Sequence, residues 1–202
     1  MTRILLIRHA HHDAVGRYLA GINPGLHLND AGKRQAEDLA ARLRDVPLTA
    51  VVSSPLERAQ ETAEPIARDH DLVVKVIPDL IEFEVGEWTG ATFTALEADN
   101  SWRRFNTVRS LTRPPGGELM VEVQLRVVNA LLHLHASYPM GTVAAISHGD
   151  VIRAALMYLL AMPIDFVHRL AISPGGISII ELDEETVRVL QVNGDHVAAS
   201  YL

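Results

Sequence analysis

The sequence predicts an α/β protein with a mostly parallel central β-sheet. Residues 4–7 are four consecutive apolar residues, too few for a helical repeat, and two of them are β-branched. This is typical of a buried strand in a parallel sheet. Further short apolar runs alternate with longer segments of helical periodicity, which is the pattern of repeated βαβ units. Arg8 and His9 directly follow the first run. Because ligands of open α/β sheets bind beyond the carboxyl ends of strands, these two residues predict an anion site.

A long loop and a helix follow the first strand. Residues 10–28 contain three glycines and a proline, which predicts a loop. Asn29 is then a suitable N-cap for a helix from Asp30 to about Arg44. The apolar residues expected on one face of this helix are Ala36, Leu39, Ala40 and Leu43.

The second strand is predicted at residues 49–53, and a helix follows it closely. Residues 54–57 have the pattern of a capping box, with Pro55 at the first helical position. The helix is therefore expected to begin at Pro55, which places Arg58 in its first turns.

The third strand, at residues 73–77, leads into a less regular segment. Glu82 lies near its carboxyl end. Residues 85–117 contain glycines, two tryptophans and a Pro-Pro-Gly-Gly turn, which predicts short helices in a crossover that covers the sheet edge as a lid. The arginines of this segment either receive a second anionic group of a ligand or pair with nearby carboxylates. They are Arg103, Arg104, Arg109 and Arg113.

The last part of the chain predicts one long helix, three strands and a further helix. Residues 118–138 fit an amphipathic helix, and residues 142–147 fit the fourth strand, which ends at His148 and leads directly into another helix. Two closing strands are expected at 176–182 and 187–192. The face assigned to the long helix comprises Val121, Leu125, Val128, Leu131, Leu132 and His135.

Five polar side chains are expected to meet at one edge of the sheet, because parallel strands end there together. They are Arg8, His9, Arg58, Glu82 and His148. Such a set suits phosphoryl transfer, since guanidinium groups bind phosphoryl oxygens and a neutral histidine can attack phosphorus. A second, protonated histidine can offset the developing charge, and a carboxylic acid can protonate the leaving oxygen. Glu84 is the alternative acid, and the charges of Glu84 and Glu87 would raise the pKa of Glu82.

Several segments of the chain resemble, in their order and spacing, the motifs of the histidine phosphatase superfamily, in the branch that contains the phosphoglycerate mutases. These segments lie at residues 6–10, 28–36, 53–63, 82–90, 114–118 and 147–153. The resemblance implies a three-layer α/β/α sandwich of the phosphoglycerate mutase-like type.

The resemblance also implies a role for each site residue. His9 would be the histidine that becomes phosphorylated, and Glu82 the proton donor. His148 would be the second catalytic histidine. Arg8 and Arg58 would bind the phosphate, and Gly149, in the same motif as His148, is expected to contact the substrate as well.

The chain departs from the family pattern at two positions. Ala10 replaces the usual glycine after the nucleophile, and Val15 stands where an asparagine commonly touches the phosphate. Apolar valine cannot make that contact. His11, His12 or the loop near Gly25 would have to supply a substitute; the alternative is that the two histidines are solvated or merely orient their neighbours.

The expected function is the hydrolysis of a phosphate ester without a metal or other cofactor, because arginines and a second histidine supply the positive charge. The alternative is a phosphotransferase of the phosphoglycerate mutase type. A metal-dependent hydrolase would use His9, His11 and Asp13 as ligands, but Ala14 stands where its last histidine is needed. A phosphate-binding protein without turnover is a further alternative.

Composition narrows the class of protein and of ligand. A chain of 202 residues with 48% hydrophobic and 21% charged residues predicts one globular domain over residues 1–202, with 85–117 as its lid. The absence of cysteine excludes disulfides and thiolate chemistry. A formal charge of −7 argues against nucleic acid as a partner. No apolar run suits a membrane span or a signal peptide. We therefore expect a cytoplasmic protein that binds a small phosphate ester, as a monomer or a homodimer.

Overall fold

The computed structural model describes residues 1–198 and residue 201, and the strands of this part of the chain form one six-stranded sheet. Strands β1 to β4 run parallel to their neighbours in the order β3-β2-β4-β1, and β5 and β6 extend the sheet beyond β1 with antiparallel pairing. The predicted α/β fold with a mostly parallel sheet is confirmed. The strands are β1 (Thr2–Arg8), β2 (Ala50–Ser53), β3 (Val74–Val76), β4 (Thr142–Ser147), β5 (Ile177–Leu182) and β6 (Val187–Gly194).

Helices cover both faces of the sheet. The α-helices are α1 (Asp30–Leu43), α2 (Glu57–Asp69), α3 (Phe93–Leu96), α4 (Asn100–Thr107), α5 (Met120–Ser137) and α6 (Gly149–Leu159). Short 3₁₀ helices occupy Pro78–Leu80, Gly86–Trp88 and Ile164–Arg169. None of the helices in the described ranges has the length and apolarity that a membrane crossing requires.

The three layers follow from the alternation of side chains along β1. Leu5 and Ile7 are buried in a cluster with residues of α1 and α2, whereas Ile4 and Leu6 are buried in a second cluster with residues of α5 and α6. Successive residues of a strand point to opposite faces, so a strand that is apolar throughout must be covered on both sides. The expected α/β/α sandwich is therefore what the structure shows.

The first helix begins as predicted, with the Asn29 side chain accepting the Gly32 N–H at 2.9 Å. The predicted capping box at residues 54–57 is wrong, because both of its groups have partners elsewhere. The Ser54 N–H donates to Ile146 O at 2.9 Å and extends the pairing of β2 with β4. A Glu57 carboxylate oxygen accepts the Gly25 N–H at 3.0 Å. The helix consequently begins at Glu57, two residues after Pro55.

The apolar face assigned to the long helix is wrong for three of its six residues. Val121, Leu125 and Leu132 are exposed. The stripe that α5 buries consists of Met120, Val123, Val127, Ala130, Leu131 and Leu134. The helix carries apolar residues on more than one face, and periodicity alone cannot decide which of two stripes packs on the sheet.

Residues 85–117 form short helices, as the sequence predicts. Their aromatic residues pack on one another: the Trp88 ring lies 5.3 Å from that of Trp102 and 5.4 Å from that of Phe105. Phe105 in turn stacks on Phe83 at 5.5 Å. This aromatic cluster attaches the segment to the body of the protein, and its role as a lid stays a prediction.

Candidate active site

A cavity of about 250 Å³ opens at the carboxyl ends of β1 and β4. Five of the six predicted site residues line it: Arg8, His9, Arg58, Glu82 and Gly149. The sixth, His148, has its ring 5.1 Å from the ring of His9 and its Nδ1 atom 3.8 Å from Glu82 Oε2. The structure therefore brings together the residues that the sequence predicts to meet.

His9 is 2% exposed and follows β1, with its N–H donating to Ser147 O at 2.9 Å. Its Nδ1 atom lies 2.8 Å from Ala10 O. A carbonyl oxygen only accepts, so we assign the ring proton to Nδ1 and the lone pair to Nε2. Burial, then the charges of Arg8 and Arg58, hold the pKa of His9 well below its usual value. The ring is therefore neutral and carries a nucleophilic nitrogen at Nε2.

Contacts from α1 and α2 fix the backbone that follows His9. The Ala10 N–H donates to Thr62 Oγ1 at 2.9 Å, and the Thr62 hydroxyl donates to Arg58 O at 2.7 Å. Gly32 of α1 lies against the other side of this loop, where a Cβ atom would come within 1.9 Å of His11 O. Only glycine permits so close an approach of the helix to the loop.

The two arginines line the cavity, and backbone carbonyl groups anchor their side chains. The Arg58 side chain is 1% exposed and donates from Nη2 to Gly21 O at 2.8 Å. Arg8 donates from Nη1 to Ile172 O at 2.6 Å. Among the described residues, Nε of both arginines and Nη1 of Arg58 have no hydrogen-bond partner. Both guanidinium groups belong to residues of the cavity wall, and a planar guanidinium suits the oxygens of a bound phosphoryl group.

Gly149 begins α6 and packs against Arg8. A Cβ atom at this position would lie 3.4 Å from Arg8 Cζ and Nε, so the guanidinium packs directly on the first residue of the helix. The amino terminus of α6 also faces the cavity and favours negative charge there.

His148 is fully buried, and Ser54 fixes its ring. The Ser54 hydroxyl oxygen accepts the Leu56 N–H at 3.3 Å and lies 2.7 Å from His148 Nε2. We assign the hydroxyl proton to the bond with Nε2, which leaves the His148 proton on Nδ1, the atom nearest Glu82. Burial, then the neighbouring His9 ring and the charges of Arg58 and Arg8, hold the pKa of His148 well below its usual value.

Glu82 has the properties of a general acid. Burial and the charge of Asp150 raise its pKa to about 7, against the opposing effects of the Phe83 N–H, Arg58 and Arg8. The sequence analysis expected Glu84 and Glu87 to supply the negative charge that raises this pKa. That expectation is wrong, because both side chains are exposed and neither lines the cavity. The structure likewise places Glu84, the alternative acid, outside the cavity.

Arg126 was missed by the sequence analysis, although it positions Glu82. From α5 it donates to Asp79 O and Ile81 O, both at 2.7 Å, and to Glu82 O at 3.1 Å. Glu118 holds the same guanidinium at 2.7 Å. An arginine between Val123 and Val127 of an otherwise apolar stripe was the available signal.

A second group of charges forms another wall of the cavity. Asp150 accepts from Arg153 Nη1 at 2.9 Å and lies 3.4 Å from Arg109 Nη1. Of the four lid arginines, Arg109 is buried and lines the cavity, whereas the other three are exposed. Arg113, for example, pairs with Glu122 at 2.6 Å. The remaining wall is largely apolar and includes Val15, Leu19, Phe83, Val85, Phe93 and Trp102.

The candidate metal motif at residues 9–13 is not assembled into a ligand set. His11 and Asp13 are exposed, and Asp13 accepts a hydrogen bond from Asn29 at 2.9 Å. Across residues 1–198 and 201, no three histidine, aspartate or glutamate side chains converge in a way that would hold an ion.

Comparisons of the sequence and of the structure with known proteins agree on one family. The family model described as histidine phosphatase superfamily (branch 1) matches residues 4–195. A curated relative, phosphoserine phosphatase 1 of Hydrogenobacter thermophilus, is 29% identical over 197 residues, which cover 96% of this chain and 92% of that protein. The solved structure of Bacillus stearothermophilus YhfR has a TM-score of 0.89 and 27% identity, with 98% of both chains covered.

A further relative is longer than this chain. The bifunctional protein Rv2228c of Mycobacterium tuberculosis is 38% identical over 185 residues, which cover 89% of this chain. The chain spans about half the length of the first curated relatives that it matches, since the aligned part is 50% of each.

We predict that replacing Ser54 changes the tautomer of His148. In the wild-type protein, ¹⁵N NMR of the imidazole nitrogens should show His148 protonated at Nδ1, because the Ser54 hydroxyl donates to Nε2. Ser54→Ala removes that donor, and the proton should move to Nε2, the nitrogen that a free neutral histidine prefers. Ser54→Thr, which keeps a hydroxyl, should retain the wild-type pattern.

Ser53→Ala is the matched control, because Ser53 is equally buried and its hydroxyl donates to Ser54 O at 2.9 Å rather than to His148. A wild-type spectrum with His148 protonated at Nε2 alone would contradict the assignment.

Proposed function

The chain belongs to the histidine phosphatase superfamily, and on that basis we propose that it hydrolyses the phosphate ester of a small metabolite through a phosphohistidine intermediate, without a metal ion. The observation that carries the proposal is the state of His9. Its ring is neutral, its Nδ1 is occupied by Ala10 O, and its Nε2 is the nitrogen left to react beside two arginines. The similarity to the Hydrogenobacter protein, which is named a phosphoserine phosphatase, supports the same reaction class.

In the first step, His9 Nε2 attacks phosphorus and forms a P–N bond. The bond between phosphorus and the ester oxygen breaks, and its electron pair goes to the leaving oxygen. Glu82 supplies the proton that turns this oxygen into an alcohol. With a pKa raised to about 7, Glu82 is still substantially protonated near neutral pH.

Fixed positive charge stabilises the phosphoryl group while it is transferred. The guanidinium groups of Arg8 and Arg58 contact the equatorial oxygens of the phosphoryl group, where charge is spread in the transition state. The His148 Nδ1–H, near Glu82, adds a further donor. When the phosphate dianion enters, its charge opposes that of the two arginines, and the pKa of His148 rises toward the protonated form.

The second step returns the histidine to its initial state. Glu82, now ionised, accepts a proton from a water molecule whose oxygen attacks phosphorus. The P–N bond breaks, its electron pair returns to His9 Nε2, and phosphate leaves. The same carboxyl group thus acts first as acid and then as base. In a mutase-type reaction, a second hydroxyl of the substrate would take the place of this water.

The cavity limits the size and chemistry of the alcohol. A cavity of about 250 Å³ suits a small phosphate ester. The leaving group would lie between an apolar wall, which includes Phe93 and Trp102, and the charged wall formed by Arg109, Asp150 and Arg153.

The proposed intermediate predicts covalent phosphate on His9. Brief reaction with labelled phosphoserine or nitrophenyl phosphate in EDTA, followed by denaturation, should leave a label that is stable in base and lost in acid. His9→Asn should carry no label, because its amide nitrogen is not a nucleophile. The measurement is the label per chain, located by mass spectrometry of peptides.

His11→Asn is the control for this experiment, since His11 is the exposed neighbour of the same chain segment. Label that persists in His9→Asn would overturn the assignment, and labelling that requires added zinc or manganese would overturn the metal-independent reaction. Transfer of the label to a second hydroxyl of the substrate, with no free phosphate, would indicate a mutase.

The acid role of Glu82 predicts a loss that depends on the leaving group. Glu82→Gln should slow the hydrolysis of alkyl phosphates by roughly a hundredfold to ten-thousandfold, as expected for removal of a general acid. The loss with nitrophenyl phosphate should be much smaller, because nitrophenolate leaves without a proton. In the wild type, kcat/KM for alkyl phosphates should fall as the pH rises through about 7, where Glu82 loses its proton. The variant should lack this decline.

Glu84→Gln provides the comparison, because Glu84 is exposed and does not line the cavity. Equal losses with both substrates in Glu82→Gln, or a leaving-group effect in Glu84→Gln, would show that the acid has been assigned to the wrong carboxyl group.

A further inference from the structure

We propose that His12 is a further phosphate-binding residue, whose Nε2–H donates a hydrogen bond to an oxygen of the phosphoryl group in the cavity. The proposal rests on the proposed function, because it concerns the same site. None of the steps derived above uses His12, although it is a buried polar residue of the cavity wall.

His12 is buried next to the nucleophile. It is 5% exposed, lines the cavity, and its ring centroid lies 4.9 Å from that of His9, with an angle of 36° between the ring planes. A histidine in such a position either packs against its neighbour or donates to the ligand that the neighbour binds. The hydrogen bonds of its two nitrogens decide between these roles.

The backbone fixes the tautomer of His12. The Ala14 N–H points at His12 Nδ1 with an N···N distance of 3.3 Å. An amide nitrogen only donates, so Nδ1 holds a lone pair and the ring proton lies on Nε2. This is the reverse of His9, where a carbonyl oxygen faces Nδ1. The two neighbouring rings therefore differ in function: His9 offers a lone pair at Nε2, and His12 offers a proton.

The Nε2–H of His12 has no protein acceptor within the part of the chain that the structure describes. The Nε2 atom is not sealed from solvent, and His12 lines the cavity. Its N–H is therefore open to the cavity. A bound phosphoryl oxygen would satisfy it. Val15, which lines the same cavity, is apolar and offers no donor of its own.

The surroundings of His12 keep its ring neutral, with the proton on Nε2. Burial, then the charges of Arg58 and Arg8, lower the pKa of His12 to about 4, while Asp13 opposes them and His11 acts in the same direction. At neutral pH the ring is therefore uncharged, with its proton on Nε2. If phosphate binding raises the pKa, the protonated ring still carries hydrogen on Nε2. Donation to phosphate is thus available in both states.

The test compares phosphate binding in variants that keep or remove the donor. His12→Phe keeps a flat ring against His9 but has no N–H. Its dissociation constant for inorganic phosphate should rise about tenfold to a hundredfold, the usual effect of one hydrogen bond to a charged group. His12→Gln, which restores an N–H, should bind within a few-fold of the wild type. His11→Phe is the matched control and should bind like the wild type, because His11 is exposed.

Two readouts separate binding from a merely structural role. In ¹⁵N NMR of the wild type, His12 should be protonated at Nε2 and should keep that proton, with a shifted resonance, when inorganic phosphate is added. In His12→Phe, adding a donor to the same wall by Val15→Asn should recover part of the lost affinity. The same substitution in the wild type, where His12 already donates, should gain less affinity, whereas a packing role of His12 would give an equal gain in both backgrounds.

Unchanged phosphate affinity in His12→Phe, or a wild-type ring protonated only at Nδ1, would overturn the proposal. If His12→Phe and His12→Gln both fail to fold, a wild-type His12 resonance that does not respond to phosphate overturns it, and one that shifts with Nε2 protonated supports it. Phosphate binding is measured without turnover. Failure of the proposed hydrolysis therefore leaves a different result, an inactive protein that still binds phosphate through His12.

Discussion

The interaction on which the site depends is the hydrogen bond between His9 Nδ1 and Ala10 O, at 2.8 Å. It fixes the ring, places the proton on the nitrogen that faces the backbone, and leaves the lone pair on the nitrogen that faces the cavity. The bond forms only if the backbone after β1 is held in one conformation. The Thr62 hydroxyl and the close approach of Gly32 hold it so. The packing of α1 and α2 on the sheet is therefore directly connected to the chemistry expected at His9.

Three buried histidines share one electrostatic environment and differ in their partners. Burial and nearby arginines lower the pKa of His9, His12 and His148 alike, so charge does not distinguish them. A carbonyl faces Nδ1 of His9, an amide faces Nδ1 of His12, and the Ser54 hydroxyl faces Nε2 of His148. These partners give a lone pair in the first ring and N–H donors in the other two. The division of roles thus comes from hydrogen bonding at the back of each ring.

Much of the site could be predicted because strand ends are visible in the sequence. Arg8, His9 and His148 follow apolar runs whose length and composition identify β1 and β4. Features that depend on tertiary partners could not be predicted. The helix α2 begins two residues later than predicted because the Ser54 N–H joins the sheet. The negative charge that raises the pKa of Glu82 comes from Asp150, about seventy residues further along the chain. The face assigned to α5 was wrong for three of its six residues because the apolar residues of the helix form two stripes.

The central claim is that the phosphoryl group is transferred to His9 Nε2 between fixed positive charges. A crystal structure with orthovanadate, which imitates the five-coordinate phosphorus of the transfer, tests it most directly. We expect vanadium bonded to His9 Nε2, with its equatorial oxygens within hydrogen-bond distance of Arg8 and Arg58 and with Glu82 beside the oxygen opposite His9. Vanadium bonded to any other side chain, or vanadate bound outside this cavity, would contradict the account.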